Sequence, residues 1–203
     1  MDIKELEEHI WEKLPKTYKV TSIDFEGPEI ILYSKNPSAF FEGKENIIGK
    51  IAFELKKKIS IRADKSLLMD PSDAKKVIEG LIPKEAEVKN ITFVDAFSQV
   101  AIESIKPGLV IGKGGETSKA ILTKTGWTPK ILRAPTSNSE FLMGIRYHLH
   151  KHAAERKKFL QETSQRIYRN VNAKHDWVRL TALGAFREVG RSCMMVDTPK
   201  TKV

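Results

Sequence analysis

The chain has 203 residues, and its 35 lysines and arginines outnumber its 26 aspartates and glutamates, which gives a formal net charge of +9. Such a basic excess favours a polyanionic partner, nucleic acid before membrane. A single cysteine, Cys193, excludes a disulfide framework and a cysteine-based zinc module within the chain. The charged start MDIKELEEHIWEKL lacks the apolar core of a secretory signal, and no apolar run approaches the roughly 18 residues of a membrane span. We therefore expect a cytoplasmic protein.

Residues 1–68 predict the order helix, strand, strand, helix, helix, strand. Asp2 is placed to cap a helix that runs to about Lys13 and has one apolar face. YKVTSIDF and EIILYS are predicted strands on either side of a Glu-Gly-Pro turn. A short helix, SAFF, precedes a longer one from about Glu45 to Lys57, and ISIRAD completes the unit as a strand.

Residues 69–136 predict the same order again. An Asp-Pro pair opens a helix, and VKNITFVDA and SQVAIESI form a strand pair. Pro107 begins a short apolar turn, GLVIG; a helix follows a glycine loop, and WTPKILRA is the last strand after Gly126. Pro37 and Pro107 play the same local role in the two halves. The sequence therefore predicts an internal repeat of a small α+β domain.

The glycine loop lies in VIGKGGETSKAI, between the last two predicted helices. It is not a Walker loop, because glycine and not serine or threonine follows Lys113. It is not a G-x-G-x-x-G fingerprint, because position 117, where the third glycine is required, is Thr117. The pattern that fits is G-x-x-G, Gly112 to Gly115. Such glycines let phosphates approach main-chain N–H groups, and the following helix N-terminus adds positive charge. In this element order the loop resembles that of a type II K-homology domain, which clamps about four nucleotides of single-stranded RNA.

Eight residues of the second half are candidate RNA contacts: the loop itself, one apolar wall residue before it, and three cations beyond it. They are Ile111, Gly112, Lys113, Gly114, Gly115, Lys119, Lys130 and Arg133. The alternative for the loop is an ordinary glycine-rich connector. In the first half the equivalent stretch is Gly-Lys-Glu-Asn, residues 43–46, which lacks the second glycine and has a carboxylate where a phosphate would lie. The role of that half stays open between RNA binding through another basic surface, a spacer and a packing domain.

From about Ser139 to Val171 the pattern predicts one long basic helix of about 50 Å, which carries the second half toward a further unit. Three histidines lie on it. His148 and His152, at i and i+4, share a helix face and could hold one ion, whereas His150 points nearly the other way. No metalloprotease-type carboxylate accompanies them, so solvated histidines are favoured over a metal site.

The end of the chain predicts a β-hairpin: a strand in DWVRLTALGAF, a turn at EVGRS and a second strand in CMMVDTPKTKV. Cys193 is predicted to be a buried, inert thiol in that second strand. So apolar a hairpin is not stable by itself, which indicates the first edge of a larger sheet. The Ala-Leu-Gly and Glu-Val-Gly-Arg-Ser segments are similar to the opening hairpin of the metallo-β-lactamase/β-CASP ribonucleases.

With the repeated units included, the whole chain resembles the N-terminal part of the archaeal cleavage and polyadenylation specificity factors, β-CASP ribonucleases that are also described as transcription termination factors. The resemblance implies an α+β chain in four parts. These are a K-homology-like domain with a degenerate loop (1–68), a type II K-homology domain (69–136), a helical linker (137–175) and the truncated start of a metallo-β-lactamase domain (176–203).

The resemblance also implies a zinc-dependent endoribonuclease that cuts transcript 3′ ends, forms a homodimer and works with RNA polymerase. No residue here maps onto the zinc ligands of those enzymes, and no nucleophile, base and oxyanion donor come together in the sequence. We therefore expect this chain to bind single-stranded RNA without cleaving it. In that case it is a fragment, a truncated gene product or part of a split gene. The alternatives are a nuclease completed by another chain and a protein-interaction adaptor that no longer binds RNA.

Overall fold

A computed structural model describes residues 2–42, 46–135, 139–168, 177–184 and 193–198. Within these ranges the chain forms two similar units of helices packed on a three-stranded sheet, then two helices and a β-hairpin. The mixed α+β class predicted from the sequence is confirmed. Among the helices so described, none is long and apolar enough to cross a membrane.

The first unit consists of α1 (Ile3–Lys13), β1 (Val20–Glu26), β2 (Glu29–Ser34), α2 (Ala39–Glu42), α3 (Ile47–Leu55) and β3 (Lys58–Ala63). β1 pairs antiparallel with β2, and β2 pairs parallel with β3. Asp2 caps α1 as predicted, because its carboxylate accepts from the Glu5 N–H while the Glu5 side chain accepts from the Asp2 N–H. Ile10, Ile30 and Leu32 are fully buried where α1 meets the sheet.

The second unit consists of α4 (Pro71–Leu81), β4 (Val88–Val94), β5 (Gln99–Ser104), α5 (Pro107–Ile111), α6 (Glu116–Thr125) and β6 (Thr128–Arg133). Its sheet has the order β4-β5-β6 and the same pattern of antiparallel and parallel pairs as the first. Val100 and Ile102 of β5 point into the core under the helices, and Trp127 closes that core beside β6.

The two units share a buried hydrogen-bond motif that the sequence analysis did not detect. Ser34 ends β2 and Ser104 ends β5, and both side chains are fully buried. The Ser34 hydroxyl donates to the Tyr18 carbonyl at 2.5 Å, and the Ser104 hydroxyl donates to the Ala86 carbonyl at 2.5 Å. Each hydroxyl also accepts from the backbone N–H two residues later. Each carbonyl lies in a 3₁₀ turn that follows a proline and begins with a lysine, so the repeat extends to the same local bonds.

The prediction of a single long helix after the second unit is wrong. The chain forms α7 (Glu140–Lys151) and α8 (Ala153–Ile167), with a break at His152, whose φ of −99° and ψ of 33° leave the helical region. Arg156 satisfies one carbonyl at the end of α7, since its guanidinium donates to the Leu149 oxygen at 3.0 Å. No proline or glycine marks the break, and therefore the sequence periodicity did not reveal it.

α8 returns to the first unit instead of leading away from it. The Gly27 N–H in the β1–β2 turn donates to the Leu160 carbonyl at 2.9 Å. Tyr168, just after α8, is buried in the first core with its ring 5.4 Å from that of Phe25, and its hydroxyl donates to the Pro28 carbonyl at 2.8 Å. Burial of this apolar ring against the first unit favours the turn between α7 and α8. The linker therefore joins the two units into one packed body.

The hairpin consists of β7 (Arg179–Gly184) and β8 (Cys193–Asp197), which pair antiparallel. The two predicted strands are present, while the predicted turn EVGRS lies outside the described residues. The prediction of a buried Cys193 is wrong, since this residue is exposed, as are Leu180 and Met194. Burial in a two-stranded sheet depends on a second layer, and the alternation of a strand does not say whether one is there.

Candidate nucleic-acid interface

The glycine loop turns sharply between α5 and α6. Gly112, Gly114 and Gly115 all have positive φ, at 77°, 61° and 78°. A Cβ on Gly112 would lie 2.4 Å from the Thr117 Oγ1 and 2.9 Å from the Thr117 nitrogen, so the loop packs too closely on α6 for any side chain there. A Cβ on Gly114 would meet no heavy atom within 4 Å. Gly112 is therefore required by packing, and Gly114 leaves the outer face of the loop open.

The N-terminus of α6 has no side-chain cap. Gly115 occupies the N-cap position and has no side chain that could accept from the first-turn amides. Helix N-termini concentrate unsatisfied N–H groups and partial positive charge, and an anion can take the place of the missing cap. The exposed side chain of Lys113 adds a full positive charge beside these amides. Loop and helix together have the geometry of an anion-binding corner.

The first unit satisfies the equivalent helix by itself. Asn46 is the N-cap of α3, and its side-chain oxygen accepts from the Gly49 N–H at 2.8 Å. An amide oxygen of the protein therefore lies where an anion would lie in the second unit. The three preceding residues, 43–45, lie outside the described residues. Asn46 belongs to the stretch that the sequence predicted to be a degenerate loop. Its side chain already accepts from the first turn of α3, and this disfavours anion binding there.

Three further candidate residues lie on the side of the loop. Ile111 ends α5 and is 43% exposed, next to the glycine turn. Lys119 lies one turn into α6, and its ammonium is 5.6 Å from the ring centroid of Phe41 on α2 of the first unit. Arg133 ends β6, the strand beside α5, and is exposed. The first unit therefore contributes an aromatic ring close to the helix behind the loop.

Lys130 is not beside the glycine loop. Its neighbour Ile131 packs into the core under the helices, so alternation along β6 turns Lys130 to the opposite face of the sheet. There it lines a cavity together with Gln99 and Ala101 of β5. Lys130 stays a candidate RNA contact, but the structure places it on the opposite sheet face from the glycine loop. Strand alternation, applied to Lys130 and Ile131, would have found this.

The cavity lies between the two units and has a volume of about 480 Å³. Its polar lining includes Glu26, Glu29, Arg62, Lys130, His150 and Arg156. Sequence reasoning did not find this site, because its residues come from both sheets and from the helices α7 and α8 and have no common spacing.

A buried ion pair forms one wall of the cavity. Both terminal nitrogens of Arg62 donate to the Glu26 carboxylate at 2.6 Å, and the two residues are only 3% and 6% exposed. Burial opposes the charge of Arg62, but the hydrogen bonds and charge of Glu26 outweigh it and raise its pKa above the usual value. Lys157 of α8 extends the network, donating to the Tyr33 hydroxyl at 2.9 Å and approaching Asp24 at 3.2 Å.

His148 and His150 lie on α7, and His152 lies at the break that follows it. The His148 and His152 rings are 4.3 Å apart between centroids, and His152 Nδ1 lies 3.0 Å from Glu155. His150 faces the cavity instead, and burial lowers its pKa. Over the described ranges, no group of three or more His, Cys, Asp or Glu side chains could hold a metal ion.

The loop geometry predicts different costs for two alanine substitutions. Gly112→Ala should lower the free energy of unfolding by about 2–3 kcal/mol, because it adds a backbone clash to the strain of positive φ. Gly114→Ala should cost only about 1 kcal/mol, the strain alone. Urea unfolding followed by circular dichroism measures both. Equal costs would contradict the close packing of Gly112 on α6.

Comparison with known proteins relates the first unit to K-homology domains. Residues 1–68 match the sequence profile of the family described as "Transcription termination factor FttA, KH domain". The chain is 47% identical over 201 residues to transcription termination factor FttA of Methanothermobacter thermautotrophicus, a match that covers 99% of this chain and 31% of that protein.

Other relatives carry the same name. The identity is 43% to the FttA of Pyrococcus abyssi over 99% of this chain and 31% of that protein, and 38% to the FttA of Lokiarchaeum sp. over 100% and 32%. The chain is similar to these FttA proteins along nearly its whole length and spans about a third of their length.

Proposed function

We propose that the chain binds single-stranded RNA, with the second unit acting as a type II K-homology domain. The observation that carries this proposal is the uncapped N-terminus of α6 behind the open face of Gly114, with Lys113 beside it. The K-homology match of residues 1–68 and the net charge of +9 support the same function.

RNA phosphates would approach the loop from the Gly114 face, where no side chain intervenes. Main-chain amides at the start of α6 would donate to the phosphate oxygens, and Lys113 would neutralise charge. Bases would lie over α5, where Leu109 and Ile111 are 41% and 43% exposed while Val110 is buried in the core. Exposed apolar side chains beside a phosphate clamp suit unstacked bases better than they suit a duplex.

The first unit, in this proposal, supports the second and does not clamp phosphate at its own helix. Asn46 already accepts from the first turn of α3, so an RNA phosphate there would compete with a bonded side chain. Phe41 lies beside Lys119, close to the helix that follows the loop. The first unit thereby adds an aromatic surface to the edge of the RNA site, in a tandem arrangement of two K-homology-type units.

In the longer relatives, we place this chain as the part that holds the transcript during termination. The hairpin β7–β8 is proposed as the start of a metallo-β-lactamase-type nuclease domain, to which bound RNA would be delivered. Zinc, RNA cleavage at transcript 3′ ends, homodimerisation and contact with RNA polymerase are proposals for that longer protein. The described residues of this chain provide no group of metal ligands, so its own proposed activity is binding.

Binding is tested by fluorescence anisotropy with a labelled single-stranded RNA of about 12 nucleotides and the matching duplex, from about 50 to 300 mM salt. Tighter binding of the single strand is expected, with a log–log salt slope of roughly −2 to −3, as for three or four neutralised phosphates. A chain without measurable RNA affinity would favour the adaptor alternative. RNA recovered intact after incubation with zinc is expected too, and cleavage by this chain alone would favour the nuclease alternative.

A further inference from the structure

The cavity between the two units is separate from the glycine loop. The sheet face of β5 and β6 that points away from the helices forms one side, with Lys130 on it. Arg62 of β3 and the 3₁₀ turn that contains Phe97 form another, and Arg156 of α8 covers it. The K-homology site proposed above lies on the opposite, helical face of the same sheet.

Positive charge in this cavity is only partly compensated. Arg62 is paired with Glu26 at 2.6 Å, and Glu29, the other carboxylate of the lining, is paired with Lys58 at 3.0 Å. Lys130 forms no ion pair within 4 Å in the described ranges, and Glu29 favours its charge only from a longer distance. Arg156 likewise contacts only a helix carbonyl and an aromatic ring in the described part of the chain.

A buried donor without a partner belongs to the same wall. Arg62 is 3% exposed, and its two terminal nitrogens are used by Glu26, but its Nε–H has no hydrogen-bond acceptor within the described ranges. Buried N–H groups of this kind are rare, because leaving one unpaired costs the full desolvation of the group. Phe97 lies between the two guanidiniums, with Arg62 and Arg156 at 5.5 Å and 5.6 Å from its ring centroid.

Lys130 is the cation for which this arrangement is least favourable. Lys130 is exposed at the cavity wall, and partial desolvation together with the nearby positive charges of Arg156 and Arg62 lowers its pKa, while Glu29 acts in the opposite direction. Lys130 is a cation at a cavity wall whose charged form is disfavoured by neighbouring cations. Such an arrangement is typical of a site that is completed by a ligand of opposite charge.

We propose that this cavity binds a phosphate group, with Lys130 and Arg156 as its ion-pair partners. A volume of about 480 Å³ accommodates a nucleotide, so the phosphate comes either from a free nucleotide or from the end of an RNA strand. The site adds a second anion contact to the second unit, on the sheet face opposite the helices and the glycine loop.

The test compares wild-type protein with Lys130→Met, using inorganic phosphate, uridine 5′-monophosphate, and RNA with a 5′-phosphate or a 5′-hydroxyl. Isothermal titration should show about tenfold weaker binding of uridine monophosphate by Lys130→Met. Lys76→Met, at an exposed position on α4, is the control and should bind as wild type. A preference of wild type for 5′-phosphorylated RNA, lost in Lys130→Met, identifies the strand end as the source; an effect of uridine monophosphate alone identifies the free nucleotide.

Thermal unfolding separates ligand binding from a structural role of the lysine. Without phosphate, Lys130→Met should melt at the same temperature as wild type or slightly above it, because a disfavoured charge has been removed. With uridine monophosphate only the wild type should be stabilised further. A lower melting temperature for Lys130→Met, or no stabilisation of wild type by any phosphate ligand, would overturn the proposal.

A loop variant distinguishes this site from the proposed K-homology clamp. Lys113→Asp with Gly114→Asp should keep the stabilisation by uridine monophosphate while it loses affinity for RNA. If the loop variant also loses the nucleotide effect, the phosphate binds at the loop and the cavity site is refuted. If the nucleotide effect persists although wild type shows no loop-dependent RNA binding, the cavity site stands and the proposed function fails.

Discussion

Replacing Lys113 and Gly114 together by aspartate should weaken binding of single-stranded RNA at least tenfold while the protein stays folded. Lys113 is exposed, and a side chain on Gly114 meets open space, so neither substitution disturbs packing. Aspartate tolerates the left-handed backbone of residue 114 better than most residues. The two carboxylates would face the phosphates that the amides of α6 attract, and a loss of about 1.4 kcal/mol corresponds to each tenfold change in affinity.

The matched control for this variant is Lys76→Asp with Gly80→Asp on α4. It changes the net charge by the same amount, and a Cβ on Gly80 would also meet no heavy atom within 4 Å. Lys76 is exposed and loses only a surface ion pair with Asp73. Anisotropy titrations of both variants at a single, moderate salt concentration should separate a local effect from a general one. Equal losses of RNA affinity would show that net charge, not the loop, governs binding.

Glu26→Gln should lower the free energy of unfolding by about 3–5 kcal/mol, the largest stability effect expected here for a single substitution. Glu26 is 6% exposed and holds both terminal nitrogens of Arg62. Without the charge of Glu26 the guanidinium stays buried and uncompensated. For a chain of 203 residues the expected fall in melting temperature is roughly 10 °C, measured by calorimetry.

The double variant Glu26→Gln with Arg62→Met is the informative partner of that experiment. It removes the buried charge on both sides, so it should recover much of the stability that Glu26→Gln alone loses. Lys58→Met, which breaks the exposed pair with Glu29, serves as a control and should change stability by less than about 1 kcal/mol. A loss below about 1 kcal/mol for Glu26→Gln would mean that water reaches the ion pair and that the two units are not tightly closed around it.

Local chemistry explains why much of the fold was predictable. The cap at Asp2 depends on residues three positions apart, and the turn at Gly112 depends on the backbone freedom of one residue. Both features depend on residues that are close together in the sequence. The repeated order of helices and strands follows from the local periodicity of apolar residues. The anion-binding corner at α6 was predictable for the same reason, since its loop and helix are continuous in the chain.

Long-range contacts decided the features that the sequence did not predict. The predicted long helix is broken at His152, between α7 and α8. The break lets Tyr168 after α8 be buried against Phe25, a contact between distant parts of the chain. Cys193 is exposed because strand alternation describes two faces of a strand and not whether another layer covers them.

The amino-acid sequence was sufficient to predict the two repeated units and the glycine loop before α6, because these follow from the spacing of residues within one turn or one strand. The closing of the units around a cationic cavity depends on contacts between distant parts of the chain. Arg62, Lys130 and Arg156 lie on β3, β6 and α8, and packing of α8 across both units brings them together. Charges so far apart in the chain carry no common pattern, so their convergence is a property of the folded molecule.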